Sequence, residues 1–274
     1  GLALAPAWTA DPTDQASAYF GISVAGAGDV NGDGFADLVV GAYAWDGAAT
    51  DEGRAYLYLG SASGLASAPA WTADPTDQAS AYFGISVAGA GDVNGDGFAD
   101  LVVGAYAWDG AATDEGRAYL YLGSASGLAS APAWTADPTD QTGAYFGYSV
   151  AGAGDVNGDG FADVVVGASL WDGAAGDEGR AYLYLGSASG LALAPAWTAD
   201  PTDQASAQFG YSVAGAGDVN GDGFADVVVG ASLWDGAAGD EGRAYLYLGS
   251  ASGLALAPAW TADPTDQASA YFGI

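Results

Sequence analysis

The chain has 274 residues, half of them apolar and 45 of them glycine, so a core can form but turns are dense. Lysine, histidine, cysteine and methionine are absent, and Arg54, Arg117, Arg180 and Arg243 are the only cations against 34 acidic residues, a formal charge of −30. That balance excludes a nucleic-acid partner and an anionic lipid surface, because nothing is present to neutralise phosphates, and it makes a divalent cation the natural partner. Thiol chemistry is excluded with cysteine, and no apolar run approaches the ~20 residues needed for membrane insertion. The start at Gly1, without a signal-peptide pattern, suits a mature or excised piece.

Repetition organises the rest. The segment Asp29-Val30-Asn31-Gly32-Asp33-Gly34-Phe35-Ala36-Asp37 recurs from Asp92, Asp155 and Asp218, a step of 63 residues each time. The units run Leu2–Gly64, Leu65–Gly127, Leu128–Gly190 and Leu191–Gly253, followed by a partial copy, Leu254–Ile274, in one array over the whole chain. Gly1–Ile22 and Gly253–Ile274 are identical, so the chain stops at the phase at which it started.

Four short strands are predicted per unit. Ile22–Ala27 is small and glycine-interrupted, which suits a tightly packed inner strand. Asp37–Ala42 carries Leu38-Val39-Val40, a continuous run typical of a strand buried on both faces. Arg54–Leu59 alternates Tyr56 and Tyr58 with Ala55, Leu57 and Leu59. Gly60–Gly64 marks a turn, and Ala70–Ala73, with Trp71, is the fourth strand, closed by Asp74-Pro75. Helix signals are missing, since apolar runs are short and glycine and proline punctuate throughout. The fold class is all-β: tandem four-stranded antiparallel blades of propeller type, which share stability along the array. A β-solenoid or a string of separate sandwiches is the alternative.

The segment between the first two strands carries oxygen side chains at loop positions one, three, five and nine. Calcium takes about six to eight hard oxygen ligands, and alternating oxygens on a looped backbone can wrap one ion. Asp29, Asn31, Asp33 and Asp37 would supply side chains and Phe35 a backbone carbonyl. The equivalent sets are Asp92, Asn94, Asp96, Phe98 and Asp100; Asp155, Asn157, Asp159, Phe161 and Asp163; and Asp218, Asn220, Asp222, Phe224 and Asp226. The opening resembles an EF-hand loop, but Val40 stands where that motif's final glutamate belongs and no helix flanks it. Asn-Gly and Asp-Gly also favour hairpin turns, yet a turn alone does not need three aspartates within nine residues. Magnesium holds its waters and tolerates irregular cages poorly, and zinc and copper lack His and Cys. About one Ca2+ per repeat is expected.

At these residues the chain resembles the FG-GAP repeats of integrin α-subunit propellers and of bacterial surface proteins. Phe20-Gly21, Phe83-Gly84, Phe146-Gly147 and Phe209-Gly210 match the "FG" element. Gly41-Ala42, Gly104-Ala105, Gly167-Ala168 and Gly230-Ala231 match the start of "GAP", with the proline replaced by Tyr43, Tyr106, Ser169 and Ser232. The resemblance implies that the intervening loop is a calcium site; it leaves closure open, and a part of a larger ring or an open fibrous array is expected. The family's propellers usually carry more blades than the four present here. The array is therefore expected to belong to a longer chain, to pair with a second copy into one ring, or to stack into a fibre. The matched phase of the two ends favours the continuous assemblies.

Other residues admit two readings. Asp46, Asp51 and Glu52 could form a second cation site, but an exposed acidic loop with Arg54 paired locally is the simpler expectation. Trp8, Trp71, Trp134, Trp197 and Trp260 precede an Asp-Pro turn, and packing between blades suits them better than sugar binding. Thr9 and Thr13 are candidates for O-linked sugars, and no N-glycosylation sequon exists. The expected function is a non-catalytic, calcium-rigidified structural or adhesive repeat outside the cell, self-associating or continuing into neighbouring repeats. A propeller that docks a protein or glycan ligand is the alternative. An enzyme is disfavoured because no histidine, cysteine or lysine is present to act as base or nucleophile.

Overall fold

The structure is a computed structural model describing residues 6–12, 15–75, 78–138, 141–201, 204–237, 239–263 and 268–274. Thr13 lies outside them. Blade 1 consists of β1 (Ser23–Gly28), β2 (Asp37–Ala42), β3 (Arg54–Tyr58) and β4 (Trp71–Ala73). Blade 2 contains β5 (Phe83–Gly91), β6 (Asp100–Ala105), β7 (Arg117–Tyr121) and β8 (Trp134–Ala136). Blade 3 contains β9 (Phe146–Gly154), β10 (Asp163–Ala168), β11 (Arg180–Tyr184) and β12 (Trp197–Ala199). Blade 4 contains β13 (Phe209–Gly217), β14 (Asp226–Ala231), β15 (Arg243–Tyr247) and β16 (Trp260–Ala262). Each blade is a separate antiparallel sheet with its strands in chain order, so the four-stranded blade expected from the sequence is what forms.

The second strand matches its expected bounds, and the third and fourth each lose one residue. The inner strand differs more. In blades 2 to 4 it starts at the phenylalanine of the FG element and is kinked by register shifts, as between Phe83 and Ser86. Each sheet also straddles the boundary drawn on the repeat, since blade 1 runs across Gly64 and Leu65.

The core lies between blades and not within them. Alternation puts Val39, Ala55, Leu57 and Ala73 of blade 1 on one face, where they pack with Phe83, Val87, Leu101, Val103, Tyr119 and Tyr121 of blade 2. Equivalent clusters join blades 2 and 3 and blades 3 and 4. Both faces of the inner blades are therefore covered, which is why β6 and β10 are buried along their whole length. The tryptophans seal these junctions. Trp71 meets Tyr121 edge-on at 4.9 Å, and its indole N–H donates to the Ala129 carbonyl of blade 2 at 2.9 Å. Trp134 and Trp197 repeat the arrangement in the next two junctions.

The FG and GAP halves of the motif meet within a blade, where Phe83 pairs with Ala105, and again across a junction. A β-carbon on Gly41 would collide with the carbonyl oxygen of Gly84, and the same holds for Gly104 against Gly147. The loop between β2 and β3 adds a latch at this end, where Ser80, Tyr82 and Phe83 donate their N–H groups to the carbonyls of Thr50, Asp51 and Glu52 at 2.8, 3.2 and 2.9 Å.

The series is open. Val24 on blade 1 is 61% exposed whereas its equivalent Val87 is 4% exposed, and Trp260 on blade 4 is 51% exposed against 5% for Trp197. No helix among the described residues is long and apolar enough to cross a membrane.

Because Phe146 is fully buried at the junction of blades 2 and 3, Phe146→Ala should cost about 3–5 kcal/mol of stability. Urea unfolding followed by tryptophan fluorescence would measure it.

Candidate metal centre

Each carboxylate loop is a tight turn that its own side chains hold. Gly34 adopts φ +89, a left-handed conformation that a β-carbon would disfavour. Asp29 at the loop entrance accepts from the amides of Gly32 at 2.7 Å, Asp33 at 3.1 Å and Gly34 at 2.8 Å. Asn31 accepts from the Asp33 amide at 3.1 Å and donates its side-chain amide to Asp33 Oδ2 at 3.0 Å. Asp33 Oδ1 accepts from the Phe35 amide at 2.9 Å. Blades 2, 3 and 4 reproduce this pattern residue for residue.

Asp37 differs from the other three. It is buried at the start of β2, and its two oxygens accept from Val30 at 2.9 Å and from Gly60, in the loop after β3, at 2.8 Å. It thus ties two loops together as well as closing the candidate ligand set. The loop brings Asp29, Asn31 and Asp33 to its solvent side and leaves Asp37 beneath them. Among the described residues, no three carboxylates already converge as a closed cage.

The electrostatics show what the loop lacks. Burial raises the pKa of Asp37; the Gly60 and Val30 amides counter this, and the nearby charges of Asp33 and Asp29 push the same way as burial. The same causes push Asp100 and Asp163 up to about 6. A carboxylate held under two others without a counter-charge is costly to ionise. The donor set is made of hard oxygens alone, its rim is open to solvent, and its buried member is under like-charge pressure. These features fit a hard divalent cation.

The phenylalanines do more than was expected of them. Phe35, Phe98, Phe161 and Phe224 entered the ligand set for their carbonyls, but the rings of the last three lie over the preceding loop. A β-carbon on Gly32 would come within 2.7 Å of the Phe98 ring, and Gly95 and Gly158 stand in the same relation to Phe161 and Phe224. The loop backbone also joins the next blade, where Ala99 and Ser124 donate to the carbonyls of Asp29 and Val30 at 3.0 and 3.1 Å. The oxygen-rich loop is thereby the second latch of each junction.

The acidic loop between β2 and β3 departs from the exposed loop with a locally paired arginine that was expected, because Glu52 is buried and Arg54 reaches Asp74. Glu52 is 1% exposed and accepts from the amides of Ala48 and Ala49 at 3.2 and 2.8 Å. Asp46 accepts from the Asp51 amide at 2.7 Å. Arg54 stacks 3.3 Å over the Trp45 ring and pairs with Asp74 at the end of β4. A feature absent from the sequence reading lies at this end. Tyr19 stacks on Tyr43, Tyr43 meets Tyr82, Tyr82 stacks on Tyr106, and Tyr106 meets Tyr145 and Tyr148, with centroids 4.9–5.6 Å apart. Tyr148 continues the row to Tyr211, their hydroxyls 3.0 Å apart.

Fold and loop together define a tandem array of four-stranded blades, each with an oxygen-rich turn between its first two strands. The FG-GAP repeat profile matches residues 20–58, 83–121, 146–184 and 209–247, and the chain belongs to that family. It is 38% identical to integrin alpha-IIb of Mus musculus over 165 residues, which covers 57% of this chain and 15% of that protein. Against integrin alpha-V of Gallus gallus it is 35% identical over 227 residues, 78% of this chain and 20% of that one. The chain therefore spans a fifth or less of the length of these relatives. Among solved structures, that of Saccharomyces cerevisiae Sqt1 aligns over 85% of this chain and 45% of its own, at TM-score 0.47 and 10% identity.

The raised carboxylate pKa values set the sign of a pH effect. Folded Asp100 and Asp163 titrate near 6, above the ordinary 3.8, so in the metal-free chain their contribution is complete below about pH 4 and is lost as pH rises through 6. Thermal melts in chelator should fall between pH 4.5 and 7. With calcium, which binds only the ionised form, that fall should shrink or reverse.

Proposed function

We propose that this chain is a calcium-rigidified, non-catalytic repeat scaffold that works outside the cell as a structural or adhesive element. The observation that carries the proposal is the double duty of the oxygen-rich loop, which presents Asp29, Asn31 and Asp33 to solvent while its backbone and the next loop's phenylalanine bind it to the following blade. A cation held there would relieve the repulsion around Asp37 and stiffen the junction together with the turn. The residues that would hold it are Asp29, Asn31, Asp33, Asp37 and the Phe35 carbonyl, with their equivalents in the other three blades. The ion supplies positive charge and coordination, and no bond-breaking step is asked of it.

Three considerations support the setting. Calcium is abundant outside cells, where even modest sites stay filled. Integrin relatives of 35% and 38% identity point the same way. The surface, at −30, favours divalent cations over nucleic acid. Catalysis finds no support in the side chains, since His, Cys and Lys are absent and the carboxylates of both loops are engaged by backbone amides.

Calcium bound to the fold stabilises it by mass action, about 2.7 kcal/mol per site at a hundredfold excess over Kd. Chelation should lower the melting temperature and speed proteolysis. Asp92→Asn with Asp155→Asn should remove part of the calcium-induced shift, read by calorimetry with and without the ion. An unchanged melting curve after chelation would rule out the scaffold role of calcium.

The tyrosine row favours a second reading. Half-buried rings joined across four blades form a platform on whose open edges sugar rings can stack, with weak contacts multiplied along the array. If it serves that purpose, Tyr82→Ala with Tyr106→Ala should cut retention on a glycan array at least tenfold while leaving the calcium-dependent melt unchanged.

A further inference from the structure

Four blades make three junctions, and the outer faces of blades 1 and 4 are the two halves of a fourth. The trailing face of blade 4 consists of Ala216, Val228, Leu246 and Trp260. Its equivalents on blade 3, Ala153, Val165, Leu183 and Trp197, are 0–5% exposed under blade 4. The leading face of blade 1 carries Val24, Leu38, Val40, Tyr56 and Tyr58, of which Val24 is exposed and the last three are buried beneath Trp8 and Phe20. Its equivalents on blade 2, Val87, Leu101, Val103, Tyr119 and Tyr121, are covered by blade 1. The metal loops show the same incompleteness. Val219 is 53% exposed where Val30, Val93 and Val156 are fully buried, and Phe35 is 40% exposed with no preceding loop to cover.

Both faces already carry stand-ins drawn from the chain itself. On blade 1, Trp8 donates its indole N–H to Ala66 at 2.9 Å and meets Tyr58 edge-on at 5.0 Å, the geometry with which Trp71 engages Ala129 and Tyr121. On blade 4, Ser269, Tyr271 and Phe272 donate to Gly239, Asp240 and Glu241 at 2.9, 3.2 and 3.0 Å, as Ser80, Tyr82 and Phe83 do in the first junction. These stand-ins belong to Gly1–Ile22 and Gly253–Ile274, which are identical in sequence.

We propose that the trailing face of blade 4 docks on the leading face of blade 1 of a second copy of this chain, head to tail. In the joint, Trp260 of one copy replaces Trp8 of the other on Ala66, and Ser17–Ile22 of the second copy replaces Ser269–Ile274 of the first. Identical residues exchange identical bonds, so the swap itself is close to neutral. The gain is the burial of Val24, Val219, Val228, Leu246 and Phe35, and two backbone bonds, from Ala36 to the Asp218 carbonyl and from Ser61 to that of Val219. The contact is heterologous, so it either closes a ring of two copies or extends a filament. The inference rests on the three junctions present in the chain and not on the calcium reading.

The test uses the full chain at about 150 mM salt, which screens the acidic surfaces beyond ~8 Å, with millimolar calcium and mass measured by sedimentation velocity. Wild type should run above its 26.9 kDa monomer mass. Val24→Glu disables the leading face and Val228→Glu the trailing face, and each variant alone should be a monomer. Mixed in equal amounts they should form a 1:1 dimer, because each retains the half that the other lacks. Circular dichroism checks that both fold. A monomeric wild type at 100-fold dilution steps up to the highest concentration, a variant that still self-associates, or a folded mixture that stays monomeric would each overturn the proposal.

Discussion

Each sheet in this chain has two apolar faces and is too thin to cover either with its own residues. Between blades the faces are covered by the neighbouring sheet, and in blade 2 the regular alternation of Leu101, Val103 and Tyr119 with Val102 and Leu120 hands the first set to the preceding junction and the second to the following one. Stability is consequently a property of junctions, as in other quasi-one-dimensional arrays. Several features that recur with the repeat serve that junction: the paired glycines of FG and GAP, the tryptophan indole, the phenylalanine over the neighbouring loop.

The two ends of a junction are latched differently. At one end the loop after β2 is shaped by the buried Glu52 carboxylate and offers three carbonyls to the next blade. That latch needs no ion, because backbone amides satisfy the charge. At the other end the oxygen-rich loop offers the carbonyls of Asp29 and Val30, but burial, helped by the charges of Asp33 and Asp29, pushes Asp37 toward protonation. On the proposed function, a cation there would strengthen the weaker latch and so act on one edge of each junction, while the opposite edge is held by backbone bonds alone.

Much of this was legible in the sequence. The 63-residue period, the strand at Asp37–Ala42, the absence of helix and the oxygen spacing of the loop all follow from local pattern. What stayed hidden depends on partners in another repeat. Asp37 reads as a ligand because it completes a spacing, yet Gly60, which it also ties, lies beyond the next strand. Phe98 reads as a carbonyl donor because its ring has no visible partner until the blades are stacked. The tyrosine row joins residues such as Tyr43 and Tyr82 that share no local motif. Asp46 and Glu52 look like free acid in a polar loop because a sequence does not say which amides donate to a carboxylate.

The central claim is that calcium acts through the junction and not only within its own turn. Amide hydrogen exchange at Ala99, Ser124, Ala162 and Ser187, the donors that cross from one blade to the previous blade's loop, tests this most directly. The account predicts that calcium slows their exchange at least tenfold, while Phe83 and Phe146 at the opposite latch change little. Exchange at Ala99 and Ser124 that is the same in calcium and in chelator, with the chain folded in both, would contradict it.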